Sequence, residues 1–286
     1  MKRRFLADIS LLVVVIIWGY TFVAIKESLS FISPANFIFL RFAISSFLLL
    51  VIFSFKLKGL TFKTVKSGFI AGFFLFLAYL FQTIGLQFTT ASNGGFITGF
   101  SVILVPLFSS VIFKTPPSRE NIIGAIFAFI GLIFISFKGL SAINIGDFMV
   151  FICAIAVAFH ILFVGIYSRY NDSALLTVIQ ILTVTIFSLV FVPFSGDFTI
   201  PHRSDVWFAI VFCALFATVV AYLIQTSMQK FTSSSHTALI FSGEPVFAGI
   251  FGYFFLGETF DLLQIVGCLL ILSGMLISEL KIADTL

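Results

Sequence analysis

Long apolar runs of about twenty residues recur from one end of this chain to the other, separated only by short polar breaks. A bilayer core about 30 Å thick needs roughly that length per helix, because backbone polar groups inside it must bond within the segment. Ten stretches qualify, at 7–26, 34–55, 66–87, 92–114, 120–138, 147–168, 174–194, 205–228, 235–256 and 262–280. Breakers fall in the gaps: Ser33-Pro34, Lys56 to Lys58, Pro116-Pro117, Asn171-Asp172, Ser195-Gly196 and Gly257 to Asp261. The shortest gap is Thr89-Thr90-Ala91-Ser92-Asn93. With 60% apolar or aromatic residues, 10% charged and a mean hydropathy of +1.20, the chain departs far from soluble composition. That argues against a cytosolic enzyme, a nucleic-acid binder and a disordered chain. The expected class is an all-α integral membrane protein.

The net charge of +4 sits in the gaps rather than on a basic face, so the basic residues read as orientation signals. With the N-terminus in the cytoplasm, twelve fall inside: Lys2, Arg3, Arg4, Lys56, Lys58, Lys63, Lys66, Lys114, Arg119, Arg169, Lys230 and Lys281. Only Lys26, Lys138 and Arg203 fall outside, and Arg41 lies within a span. Both termini are therefore expected in the cytoplasm of a bacterial-type inner membrane. Met1 to Arg4 and the following apolar run have a signal-peptide outline, but no small-x-small site follows, so the run is expected to stay as the first span. Cys153, Cys213 and Cys268 lie in separate runs without a CxxC or histidines at ligand spacing, which predicts neither disulfide nor metal nor other cofactor.

Sliding the chain against itself by half its length aligns Ala78-Tyr79-Leu80-Phe81-Gln82-Thr83 with Ala221-Tyr222-Leu223-Ile224-Gln225-Thr226. Without a gap, Phe88-Thr89 then falls on Phe231-Thr232, Ser92 on Ser235, Ile97 on Ile240, Phe108 on Phe251, Ile122 on Ile265, Gly124 on Gly267 and Gly131 on Gly274. Each half, 1–143 and 144–286, holds five spans, an odd number, so the second must enter the membrane from the opposite side. Inverted repeats of this kind place one site near the midplane of secondary transporters, although they also build bundles that only need stability. No HExxH, GxSxG, phosphate-binding loop or paired intramembrane carboxylates supports an enzyme.

The order of these features carries a family resemblance. Trp18-Gly19 precedes Phe22-Val23-Ala24-Ile25-Lys26 in the first span, and Arg41-Phe42 lies in the second. Thr89 to Asn93 and Val105-Pro106-Leu107 mark the fourth, Gly146-Asp147 opens the sixth, and Phe255-Leu256-Gly257-Glu258 closes the ninth. The chain resembles an EamA-type permease of the drug/metabolite transporter superfamily over essentially its whole length. The resemblance implies permeation of a small metabolite, often export of amino acids or related compounds, through a central cavity lined by both halves. Two departures stand out: Phe113-Lys114-Thr115 replaces Leu-Gly-Glu in the first half, and Phe159-His160 stands where relatives carry a tryptophan.

Within the spans, polar side chains are candidate substrate contacts. Arg41 is an anion contact or a structural hydrogen-bonding group that snorkels. Tyr79 with Gln82, and Tyr222 with Gln225, each share a helix face and would converge through the repeat, either on substrate or on each other. Asn93 and His236 occupy equivalent positions as cavity groups or helix caps, and His160 is a lone histidine, a shuttle or a packing contact. Trp18 stacks substrate or belongs to the interfacial belt, the belt being the expected reading. Glu244, the one carboxylate well inside an apolar run, is a candidate coupling site for a proton or amine, or a satisfier of backbone freed by Pro245; it is not expected to pair with Arg41. Pro106 and Pro245 are candidate hinges at which spans four and nine bend as the halves rock. The expected function is a secondary transporter or facilitator for a small polar metabolite, working by alternating access. A lipid flippase or scramblase is the main alternative, and a membrane-embedded enzyme or sensor a weaker one. Expected partners are the substrate and membrane lipids, without nucleic acid, and the sequence leaves the oligomeric state open, a monomer included.

Overall fold

A computed structural model describes residues 2–112, 114, 118–136, 144–195, 198–241 and 243–279. Several positions used above, Met1, Phe113, Thr115 to Pro117, Lys138, Gly196 and Lys281, lie outside the described residues. Among those described, the chain is all helix without a strand: α1 (Lys2–Ser28), α2 (Pro34–Ile52), α3 (Phe62–Leu86), α4 (Ala91–Gly99), α5 (Ser101–Ile112), α6 (Arg119–Ser136), α7 (Ile145–Tyr167), α8 (Ser173–Phe191), α9 (Ser204–Ala214), α10 (Ala221–Met228), α11 (Ser234–Phe241), α12 (Glu244–Leu256) and α13 (Leu262–Glu279). Seven segments are long and apolar enough to cross a bilayer. Three more, Ile122–Gly131, Glu244–Leu256 and Leu262–Ile277, are apolar but shorter.

Polar residues in the gaps start the helices. Ser33 accepts from the Asn36 N–H with Pro34 in the first turn, Thr61 caps α3, Thr90 caps α4, and Asn144 caps α7. The Asp172 carboxylate takes the N–H groups of Ala174 and Leu175 and an ion pair from Lys56 at 2.8 Å. Each cap satisfies donors that the first helical turn leaves open, a contribution of about 1 kcal/mol. The gap at Thr89 to Asn93 is as short as the sequence implies, with α3 ending at Leu86 and α4 beginning at Ala91.

Two apolar runs are interrupted rather than continuous. The run at 92–114 breaks at Phe100 into α4 and α5, and the run at 235–256 resumes as α12 at Glu244. Between α9 and α10 the helix widens into a π turn at Leu215–Val220. Element bounds recur at an offset of about 143: α1 with α7, α2 with α8, α3 with α9 to α10, α4 with α11, α5 with α12 and α6 with α13. Packing recurs in the same sense, since α1 lies on α12 as α7 lies on α5, and α4 on α12 as α11 on α5. α6 and α13 pack chiefly on each other.

That last pair is held by small residues. A Cβ at Gly131 would lie 2.5 Å from the Gly267 carbonyl oxygen, and one at Gly274 would lie 2.5 Å from that of Gly124. The backbones approach as closely as glycine permits, and dispersion replaces the hydrophobic drive that lipid does not supply. Gly274→Val is expected to force the pair apart at a cost of about 1–3 kcal/mol. The readout is a lower unfolding temperature in detergent, with Gly249→Ala, whose Cβ would meet nothing nearer than 3.6 Å, as the near-neutral comparison.

Candidate functional site

The matched AYLxQT segments meet. Tyr79 on α3 and Tyr222 on α10 place their hydroxyl oxygens 2.8 Å apart, both side chains buried. Behind them Arg41 of α2 is 1% exposed, which makes it the largest fully buried side chain. Its Nη2 donates to the Tyr79 hydroxyl at 3.0 Å and to the Ala217 carbonyl at 3.3 Å, and its Nε donates to Thr218 Oγ1 at 2.8 Å. The guanidinium carbon stands 4.5 Å from the Tyr79 ring centroid and 5.3 Å from that of Phe42.

The π turn makes these bonds available. A wider turn leaves carbonyls without their usual helical donors, and side chains fill the vacancies. Thr218 Oγ1 donates to Cys213 O at 2.8 Å, Ser45 Oγ reaches Ala214 O at 3.1 Å, and Trp18 Nε1 donates to Ala217 O at 3.0 Å. Four elements, α1, α2, α3 and the α9–α10 segment, are thereby fastened at one level. Nη1 of Arg41 has no hydrogen-bond partner, and among the described residues no carboxylate forms an ion pair with the guanidinium.

On the other side of the tyrosines lies a cavity of about 50 Å³, room for a few waters. Trp18, Tyr79, Gln82, His160, Tyr222, Gln225 and Glu244 all line it. The two helix junctions contribute further lining: Thr98, Gly99 and Ser101 between α4 and α5, Phe241 and Glu244 between α11 and α12. Trp18 packs on Tyr222 and Phe241 at centroid distances of 5.5 and 5.0 Å. His160 Nε2 lies 2.9 Å from Gln180 Oε1, and Gln180 Nε2 donates to Thr226 at 3.1 Å, which orients the imidazole. Gln229 Nε2 donates to Ile161 O at 2.7 Å and turns its own oxygen toward Gln225 Nε2, 3.4 Å away. Gln225 Oε1 is left buried without a partner among the described residues, while the Thr98 hydroxyl lies beside the Cys153 thiol. The cavity therefore holds unused hydrogen-bonding capacity and a single carboxylate. Among the described residues no cluster of three metal-ligating side chains occurs.

The cavity gathers seven of the residues singled out from sequence and leaves others apart. Trp18, expected in the interfacial belt, has its indole bonded to the π turn and lines the cavity. Arg41 is one layer behind the wall; it and Glu244 do not touch, yet both flank the tyrosine pair rather than lying at unrelated levels. Asn93 is buried in the first turn of α4 with its N–H capped by Thr90, and His236 sits 3.1 Å from Asp8, neither of them lining the cavity. Pro245 is in the first turn of α12, where a missing N–H costs nothing, so it does not break an interior bond of a continuous helix. Pro106 does sit inside α5, six residues beyond the break at Phe100. Sequence reasoning missed Thr98, Ser101 and Cys153, although Ser101 is the position matching Glu244 at the repeat offset and was available by that route.

Arg41 is held by more bonds than any substrate contact requires. Arg41→Gln is expected to cost about 3 kcal/mol through lost charge-assisted bonds and to lower the unfolding temperature. Substrate affinity of the folded fraction should change little, as read by binding on protein purified at low temperature.

The sequence profile of the EamA-like transporter family matches residues 5–137 and again 144–280. A protein of Archaeoglobus fulgidus named as an uncharacterized transporter is 37% identical over 280 residues, covering 98% of this chain and 88% of its own length. The uncharacterized transporter YyaM of Bacillus subtilis is 27% identical over 277 residues, 90% of this chain and 88% of its own. A crystal structure with 15% identity superposes with a TM-score of 0.70 over 96% of this chain and 97% of the other, a likeness of fold. With apolar helices throughout and this match across nearly its whole length, the chain is a multi-pass membrane protein that belongs to the EamA-like transporter family of the drug/metabolite transporter superfamily.

Proposed function

We propose that the protein is a secondary transporter or facilitator that moves a small polar metabolite, an amino acid or related compound, across an inner membrane by alternating access, with export the expected direction. One observation carries this reading: the cavity forms where two interrupted helices meet, one from each half of the chain. Irregular backbone at membrane depth is tolerated where it borders a cavity, and both junctions border this one. A volume of about 50 Å³ is too small for most metabolites, so binding requires the walls to part.

Ten spans arranged as inverted halves 1–143 and 144–286, with cytoplasmic termini, fit the recurrence of element bounds, the repeated packing pairs and the double family match. In this arrangement Tyr79, Gln82, Tyr222, Gln225, His160 and Trp18 contact substrate, and Glu244 is the coupling group. Arg41 fixes the tyrosine pair that faces the ligand. Pro106 and Pro245 lie beside the two breaks about which the halves rock. Asn93 and His236 serve the helix starts.

Proteoliposome counterflow with a pooled set of labelled metabolites tests the reading. Wild-type exchange of at least one solute is expected, and its absence across the pool, with lipid scrambling present on the same vesicles, would overturn it in favour of a lipid carrier. Glu244→Gln is expected to retain exchange while losing accumulation driven by an imposed proton gradient. Equal accumulation by the variant would remove the coupling role.

A further inference from the structure

The turn between α3 and α4 is gripped from three sides. Lys26 at the end of α1 donates to the carbonyls of Leu86 and Thr89, each at 2.6 Å. At the start of α7, Asp147 accepts from the Thr89 hydroxyl and Asn144 donates to Phe88 O at 3.2 Å. From the turn after α12, both oxygens of Glu258 engage the first residues of α4: Oε1 accepts from Ala91 N at 2.7 Å, and Oε2 from Ser92 N at 2.9 Å and Ser92 Oγ at 2.5 Å.

Local sequence builds the third grip. Gly257 adopts a left-handed conformation, φ 63°, that ends α12 and turns the chain back, with the Glu258 N–H bonded to Gly252 O at 3.1 Å. A Cβ at Gly252 would fall 2.5 Å from Ser92 Oγ and 2.7 Å from Glu258 Oε2, so only glycine leaves space for the carboxylate. The carboxylate also meets the positive end of α4, which strengthens every bond it makes there. α4 is nine residues long, and its far end, Thr98 and Gly99, lines the central cavity. The matching position of the first half is Thr115, and the carboxylate found at the start of α11 is instead that of Asp8 on α1, 3.1 Å from His236 Nε2. There Ser233 and Ser234 border a cleft of about 320 Å³ together with Arg169 and Tyr170.

We infer that Glu258 is a gate residue: its carboxylate latches the α12–α13 turn onto the start of α4 and holds the cavity closed at that end. Release of the latch frees α4 to move at its cavity end. The inference rests on the alternating-access reading and deepens it, since it names the group that holds one end closed.

Cys153 lines the cavity and is buried, as is Cys213, which does not line it. Two single-thiol backgrounds in vesicles, one keeping Cys153 and one keeping Cys213, are reacted with a membrane-impermeant methanethiosulfonate from each side. Glu258→Ala is expected to raise Cys153 labelling roughly tenfold from the latch end alone, in line with the loss of charge-assisted bonds, while Cys213 stays protected. Glu258→Gln, which keeps one acceptor oxygen, should produce a smaller rise. Unchanged Cys153 labelling, or a parallel rise at Cys213 from both sides, would overturn the latch. Counterflow on the same vesicles separates the two readings. Latch-end labelling without any solute exchange would keep the latch and sink the carrier, and exchange without a labelling change would do the reverse.

Discussion

Inside a bilayer a backbone amide has no water to turn to, and every feature of this protein follows from how that demand is met. Along most of the chain the helix meets it without help, which is why the described residues are helical from α1 to α13. The exceptions sit where side chains or a cavity can take over. At Leu215–Val220 the π turn leaves carbonyls open, and Thr218, Ser45, Trp18 and Arg41 fill them. At Phe100 the helix tightens, with the Phe100 N–H on Ile97 O, and α12 begins at Glu244, both against the cavity. Polar chemistry is therefore concentrated at three interruptions, and those three surround one site.

Arg41 illustrates how a charge survives in such surroundings. No carboxylate neutralises it at contact distance among the described residues; two aromatic faces, two hydroxyls and a carbonyl share it instead. Spreading the charge over neutral dipoles leaves Glu244, which forms no ion pair among the described residues, to line the cavity on the other side of the tyrosines. The same economy holds at the edge of the bundle, where Glu258 spends its charge on the N–H groups of α4 rather than on a basic side chain.

Much of this was readable before any coordinates. AYLxQT at Tyr79 and Tyr222 pointed to two facing tyrosines, because an exact polar match at half the chain length has to serve a shared position. Glu244, His160 and the two glutamines stood out as polar side chains in apolar runs and do line the cavity. Trp18 was expected first in the interfacial belt and second at the substrate; its indole bonds to a carbonyl of the π turn on another helix and lines the cavity. Asn93 and His236 went the other way, as start-of-helix residues satisfied locally.

By itself the sequence determined the helical class, the polar gaps between apolar runs and the family, because hydropathy and spacing are local properties that a bilayer reads directly. Tertiary structure alone decided which side chains meet. The bond between Tyr79 and Tyr222, the grip of Glu258 on α4 and the sequestration of Arg41 all span more than thirty residues of chain. Such contacts depend on how helices pack through small residues such as Gly131 and Gly274, and on a π turn that no apolar pattern announces. The physical reason is that apolar periodicity fixes only which segments leave water, while the fit of one backbone against another fixes which of their few polar groups find each other.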